Sequence, residues 1–266
     1  MAVLTSAAAG LDRREFLAIT AGSLAVTTRM AHAAPQSATP RRLQAIAFDG
    51  FTIFDPRPIS ALSETLFPGR GSELSNAWRA RQFEYQWLRA LSGRYADFLQ
   101  TAEESLVFAA RSLKLDLDAE RRARLMQAYL ELKAWPDVPV SLRSLKEAGI
   151  RLAFLSNMTG RMLQVGIENA GLVGAFEHVL STDDVKTYKP DPRAYRMAID
   201  AFHLEREAIL FAPFAGWDAA GARWFGYPTF WVNRLNFPDE ELGVTVDAVG
   251  RDLGDLAGFV RSHRST

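Results

Sequence analysis

The sequence predicts an α/β protein, a parallel sheet with helices on both faces and an inserted all-helical cap. Three observations carry this. The apolar run Ala45-Ile46-Ala47-Phe48 ends in Asp49-Gly50, the form of a buried parallel strand running into a tight turn. Between Glu64 and about Lys133 the patterning is helical, with no convincing strand. From Ser141 onward short apolar runs alternate with helical segments, the rhythm of a parallel sheet.

The first strand is expected at 44–48. In the helical block, Trp78, Phe83, Tyr85, Trp87, Leu88 and Leu91 share one stretch that Gly93 stops, and further helices are expected at about 95–113 and 118–133. Trp135-Pro136-Asp137-Val138-Pro139 breaks the helical run. A helix at 141–148 is closed by Gly149, and a strand at 151–155 runs into Ser156-Asn157. A helix at 161–170 stops at Gly171, and a short strand follows at 176–180. Then come a helix at 192–202, a strand at 209–212, a helix at 217–225 and a strand at 229–232. The core is thus expected over 43–58 and 138–262, with the cap at 59–137. Trp78, Trp87, Trp135, Trp224 and Trp231 read as packing residues.

Ahead of the core, Asp12-Arg13-Arg14-Glu15-Phe16-Leu17 precedes an apolar stretch at 18–27 and a small-x-small site, Ala31-His32-Ala33. This order of parts predicts a twin-arginine export signal at 1–33, with cleavage after Ala33 and a periplasmic product. Residues 34–42 read as a disordered leader. The apolar stretch is too short to span a bilayer, so no membrane association is expected of the mature form. Cleavage would remove three arginines and two acids, leaving 28 basic and 29 acidic residues, a formal charge of −1. Nothing in that balance favours a nucleic-acid partner. The chain has no cysteine, which excludes disulfides, thiolate zinc sites and a cysteine nucleophile.

Four polar positions fall at or near the carboxyl ends of expected strands, or in the loops beyond them: Asp49, Ser156-Asn157, Lys189 and Asp218. In open α/β sheets that edge is where ligands bind. A carboxylate there can attack an electrophilic carbon or phosphorus, and a nearby ammonium with backbone N–H donors favours the anionic form of such a group. Lys189, in Tyr188-Lys189-Pro190-Asp191-Pro192, supplies the ammonium. Ser156 begins the turn into a helix, whose N-terminal N–H groups suit a substrate carboxylate.

Together these residues resemble the haloacid dehalogenase superfamily, and within it the L-2-haloacid dehalogenase (type II) branch. The most specific pieces are Phe67-Pro68-Gly69-Arg70-Gly71, Trp78-Arg79, Glu84-Tyr85-Gln86-Trp87-Leu88-Arg89, Leu155-Ser156-Asn157, Tyr188-Lys189-Pro190-Asp191 and Trp217-Asp218-Ala219-Ala220-Gly221-Ala222-Arg223. The resemblance covers residues 44 to about 258. It implies a Rossmann-like core with a helical cap, and hydrolysis of short (S)-2-haloacids to 2-hydroxyacids without cofactor or metal. By that resemblance Asp49 is the nucleophile, and Lys189 pairs with it. Arg79, Asn157 and Phe98 receive the leaving halide. Ser156 and backbone N–H groups after Asp49, in the Phe51-Thr52 turn, hold the substrate carboxylate. Tyr195 matches an active-site tyrosine, Asp218 orients Lys189, and Trp217 and Phe83 wall an apolar pocket. Relatives of the branch are often dimers, which makes a homodimer through the aromatic-rich helix at 74–91 an expectation here.

The resemblance has two departures. The turn after Asp49 is one residue short, lacking the family's glycine before Thr52, so Thr52 need not fill its usual place. The Ser and Asn that help position the hydrolytic water in the family are replaced by Pro213 and Ala215, neither of which can hydrogen-bond a water through its side chain. Superfamily phosphatases carry a second Asp two residues after the nucleophile, where this chain has Phe51. A phosphatase-like hydrolase and a non-catalytic carboxylate-binding descendant are the competing readings.

Overall fold

The sheet grows from one strand whose residues are all buried. Ala45–Phe48 forms β1 and pairs in parallel with β2, Arg151–Ser156, on one side. β3, His178–Ser181, lies outside β2, and β4, Ile209–Ala212, pairs with the other side of β1, giving the order β3-β2-β1-β4. β5, Phe230–Val232, pairs with β6, Ala248–Gly250, and a parallel bridge from Thr229 to Phe211 sets this ladder beside β4. The computed structural model describes residues 43–263. The expected export signal and leader lie outside the described residues.

The central strands β1 and β4 are apolar throughout because both faces of the sheet are covered there. Ile46, Phe48, Leu152, Phe154 and Leu210 face one core, while Ala45, Ala47, Ala153, Leu155, Ile209 and Phe211 face the other. That split follows the two-residue alternation of an extended chain. The second core is closed by Tyr195, Ala198 and Phe202 of α8, Pro192–Phe202, and by Ala222 of α9, Gly216–Phe225.

Between β1 and β2 lie six helices. They are α1 (Gly50–Ile53), α2 (Arg57–Leu66), α3 (Gly71–Leu91), α4 (Phe98–Ser112), α5 (Ala119–Ala128) and α6 (Val138–Glu147). Helices α2 to α5 pack on one another around Leu74, Trp78, Phe98, Ala102, Leu106, Leu125 and Tyr129. Asp97 and Asp118 cap α4 and α5 by accepting from Gln100 and Arg121 N–H groups, and the Trp78 indole donates to the Ala102 carbonyl at 2.7 Å. Helix α7, Gly160–Asn169, follows β2, and α10, Leu253–Ser262, closes the described chain.

The structure departs from the sequence expectations at several boundaries. The turn after β1 is a single helical turn, α1. Helix α2 was not expected as a separate helix, the helical patterning being read from Glu64; it begins at Arg57, with Pro58 accommodated in its first turn. The same rule starts α6 at Val138, with Pro139 in its first turn, rather than at 141. Helix α5 ends at Ala128, not 133, where the Tyr129 ring packs edge-on against Trp78 and Phe98. β6 and α10 were not expected; the strand has three residues and the helix carries Gly254 and Gly258, so neither shows a clear period.

Candidate active site

Three parallel strands end side by side, and each end brings a polar group. At the end of β1, Asp49 is the N-cap of α1, its Oδ2 accepting the Phe51 N–H at 3.0 Å. It is the one partly exposed member of the polar cluster, with 14% of its side-chain surface accessible. At the end of β2, the Ser156 hydroxyl accepts the Met158 N–H at 3.1 Å. A Cβ on Gly50 would lie 2.7 Å from Ser156 Oγ and 2.9 Å from Met158 Sδ, so glycine allows the β1 turn to approach the β2 end this closely. After β4, Asp218 lies in the first turn of α9 and is buried.

Lys189 comes from the loop between β3 and α8 and joins these ends. Its ammonium, with no exposed side-chain surface, donates to Asp49 Oδ1 at 2.8 Å, Asp218 Oδ2 at 2.5 Å and the Leu155 carbonyl at 3.2 Å. All three of its protons are used. The Tyr195 hydroxyl donates to Asp218 Oδ1 at 2.8 Å, fixing the far oxygen of that carboxylate. Burial works against the lysine's charge, but Asp218 and Asp49 outweigh it and hold the ammonium above the usual lysine range. Burial pushes the Asp218 carboxyl up to about 6, with Lys189 pulling it down and Asp49 pushing it further up. Burial, and then Asp218, keep the Tyr195 phenol well above its usual range and therefore protonated. Lys189 thus stays charged and neutralises two acids that would otherwise repel each other.

The remaining expected residues fall into three groups. Asn157 and Thr52 hold backbone. Asn157 Oδ1 accepts from the Lys189 N–H at 2.9 Å and the Thr182 hydroxyl at 3.2 Å, while the Thr52 hydroxyl donates to the Ala212 carbonyl at 2.8 Å. Phe83 and Trp217 form an aromatic wall, their ring centroids 5.3 Å apart, and the Phe51 ring lies 6.1 Å from Phe214. Arg79 and Phe98 make no hydrogen bond to the polar cluster among the described residues. Among the described residues no hydrogen bond joins Arg79 to Asp49, Asn157 or Lys189; its guanidinium lies 6.0 Å from the Phe237 ring. Phe98 is buried against Tyr129 in the helical group.

Trp87 was read as packing and does more. Its indole donates to the carbonyl of Lys189 at 3.1 Å, and its ring stacks on Phe83 and meets Trp217 edge-on. Helix α3 is therefore tied to the backbone of the lysine itself. The available signal was spacing: Phe83 and Trp87 are four residues apart and share a helix face. The indole N–H of Trp217 is buried without a partner beside this group. At the positions of the two departures, Pro213 accepts the Val232 N–H through its carbonyl, and Ala215 is the N-cap of α9 without a side-chain bond. Glu240 reaches over that helix start, its Cγ 2.7 Å from where a Cβ on Gly216 would lie.

This arrangement presents a partly exposed carboxylate, charge-paired with a buried lysine whose loop is hydrogen-bonded by an aromatic group, suited to nucleophilic attack with an anionic leaving group. The sequence profile of the haloacid dehalogenase-like hydrolases matches residues 26–226. The chain is 47% identical over 206 residues to the (S)-2-haloacid dehalogenase of Pseudomonas sp. (strain YL), covering 77% of this chain and 89% of that protein. Among solved structures, it superposes on an L-2-haloacid dehalogenase with a TM-score of 0.81 and 42% identity, covering 83% of this chain and 99% of the other. The L-2-haloacid dehalogenase from Xanthobacter autotrophicus with chloropropionic acid covalently bound matches at a TM-score of 0.75 and 33% identity, over 82% of this chain and 98% of that one. By sequence and by fold, the chain belongs to the haloacid dehalogenase-like hydrolases, within the L-2-haloacid dehalogenase family.

Proposed function

We propose that the protein hydrolyses the carbon–halogen bond of short (S)-2-haloacids, giving 2-hydroxyacids through an ester on Asp49. The observation that carries this is the Asp49 carboxylate itself, partly exposed and held by the buried Lys189–Asp218–Tyr195 chain at the central strand end. An Asp49 oxygen bonds to C2 as the C2–halogen bond breaks, and halide leaves with the electron pair. Water then adds to the Asp49 carboxyl carbon. The original carboxylate oxygen leaves with C2 as the product hydroxyl, and one proton is released. A halide leaving group needs no proton, in keeping with Phe51 at the position where the phosphatases carry an acid. Ser156 lies against the Asp49 turn, where it would meet the substrate carboxylate, and Phe83 and Trp217 keep water from the departing halide. Arg79, on α3, would receive the leaving halide.

The test is halide release from (S)-2-chloropropionate without added metal, beside Asp49→Asn. Multiple turnovers, abolished in the variant, are expected. A single burst of about one halide per enzyme would mean that alkylation proceeds and hydrolysis stalls at the Pro213 and Ala215 positions. No halide from either protein would overturn the reading. The expected homodimer and export belong to the same proposal. Leu88 and Leu91 of α3 are 62% and 87% exposed, an apolar edge for a second copy, so Leu91→Lys should shift a dimer to monomer in sedimentation equilibrium. Export by the twin-arginine route predicts a periplasmic protein whose N-terminal residue is Ala34.

A further inference from the structure

We propose that Trp135 and Arg234 are positioning residues for Asp49, gripping the far end of the helical turn that Asp49 caps. The inference rests on Asp49 being the nucleophile. Helix α1 is one turn long, and an isolated turn of that length does not support itself. The four carbonyls at its end would ordinarily look for solvent. Here each has a partner. Gly50 O accepts from Phe54 N–H at 2.9 Å, and Ile53 O from the backbone N–H of Trp135 at 3.0 Å. Phe51 O accepts from the Trp135 indole at 3.0 Å, and Thr52 O from Arg234 Nε at 3.1 Å. Two of four bonds therefore come from side chains that belong neither to α1 nor to its neighbouring strands.

Both side chains are themselves held. Arg234 is buried and donates through both Nη atoms to the carboxylate of Asp137, at 2.9 and 3.0 Å. Asp137 Oδ2 also accepts the Leu253 N–H at 2.8 Å. The guanidinium groups of Arg234 and Arg57 lie 4.8 and 4.5 Å from the Trp135 ring. The positive charge of Arg234 stands at the carboxyl end of α1, the favourable end for a cation. Pulling on the Phe51 and Thr52 carbonyls orients the Phe51 N–H, which is the donor on Asp49 Oδ2. The grip thus reaches the nucleophile through Phe51, whose gripped carbonyl and donating N–H lie on either side of one Cα, in a turn that is one residue shorter than the family pattern.

Trp135→Phe removes the indole donor and keeps a smaller aromatic ring in its place. It is expected to slow the first halide release in a single turnover about tenfold, the worth of one net hydrogen bond, with the half-saturating substrate concentration unchanged. In hydrogen exchange, the amides of residues 51–54 should open about tenfold faster in the variant, with those of β2 unchanged. Arg234→Lys keeps the charge, loses the fork, and should show the same pattern more strongly. Wild-type exchange at 51–54 in Trp135→Phe would overturn the proposal. So would a change confined to half-saturation. Should Arg234→Lys fail to fold, Trp135→Phe decides. Should the wild-type protein release no halide, the activity reading fails, and the exchange measurement still decides the grip.

Discussion

Lys189 is a fully buried lysine with three acceptors, two of them carboxylates. A buried ion pair is a poor source of net stability, because desolvation offsets most of the attraction. Its value here is geometric: it aims the Asp49 carboxylate while keeping Asp218 from repelling it. The pH dependence follows. With Asp218 near 6, halide release should decline as pH falls through that value, because the protonated carboxyl no longer shares the lysine and Lys189 binds Asp49 more tightly. Tyr195→Phe removes a donor that favours the charged form of Asp218, so the acidic limb of kcat should move to higher pH. A profile measured from pH 5 to 9 checks both; a limb that stays in place or moves down contradicts the assignment. Asp49 and Ser156 were legible in the sequence because each ends a short apolar run, while Lys189 and Asp218 lie in the loop and helix start beyond one and were marked by the motifs around them. Arg234 was not, because its partners, Thr52 and Asp137, are 182 and 97 residues away in the chain.

At the scale of elements, the sheet was readable because a strand buried on both faces is a continuous apolar run, and β1, β2 and β4 are such runs. Boundaries failed where prolines sit inside first turns and where β6 is only three residues long. The packing of α7 on the strand edge gives a sharp stability prediction. A Cβ on Gly166 would lie 2.6 Å from the Phe54 ring, and that ring is stacked on Phe154 at 5.5 Å with little room to retreat. Alanine favours a helix over glycine by about 1 kcal/mol, but overpacking costs about 1–3 kcal/mol. Because the ring is pinned, the steric cost should dominate. Gly166→Ala should lower the urea midpoint, and an unchanged or raised midpoint would show that Phe54 yields.

Across the whole molecule, one carboxylate joins segments far apart in sequence. Asp137, just before α6, binds Arg234 after β5 and the first N–H of α10. Burial works to raise its carboxyl, but the Arg234 hydrogen bonds and the Leu253 N–H outweigh this and hold it below the usual value of 3.8. A lowered folded value means the stabilisation is full above 3.8 and is lost as pH falls through the folded value. Asp137→Asn should cost about 3 kcal/mol at pH 7, and the deficit should narrow at pH 3. Denaturant titrations at both values check this, and an equal deficit would contradict it. At this scale the sequence carried the architecture, since alternating strands and helices admit few arrangements. The contact of α3 with the lysine loop through Trp87 is tertiary and left only a spacing hint.

The most direct measurement is a single turnover of (S)-2-chloropropionate in 18O-labelled water with enzyme in excess, followed by mass analysis of the peptide containing Asp49 and of the product. An ester on Asp49 places the label in the Asp49 carboxylate and leaves the new hydroxyl of the product unlabelled. Label in the product hydroxyl, with none in the peptide, would mean that water attacks C2 directly and that Asp49 is not the nucleophile.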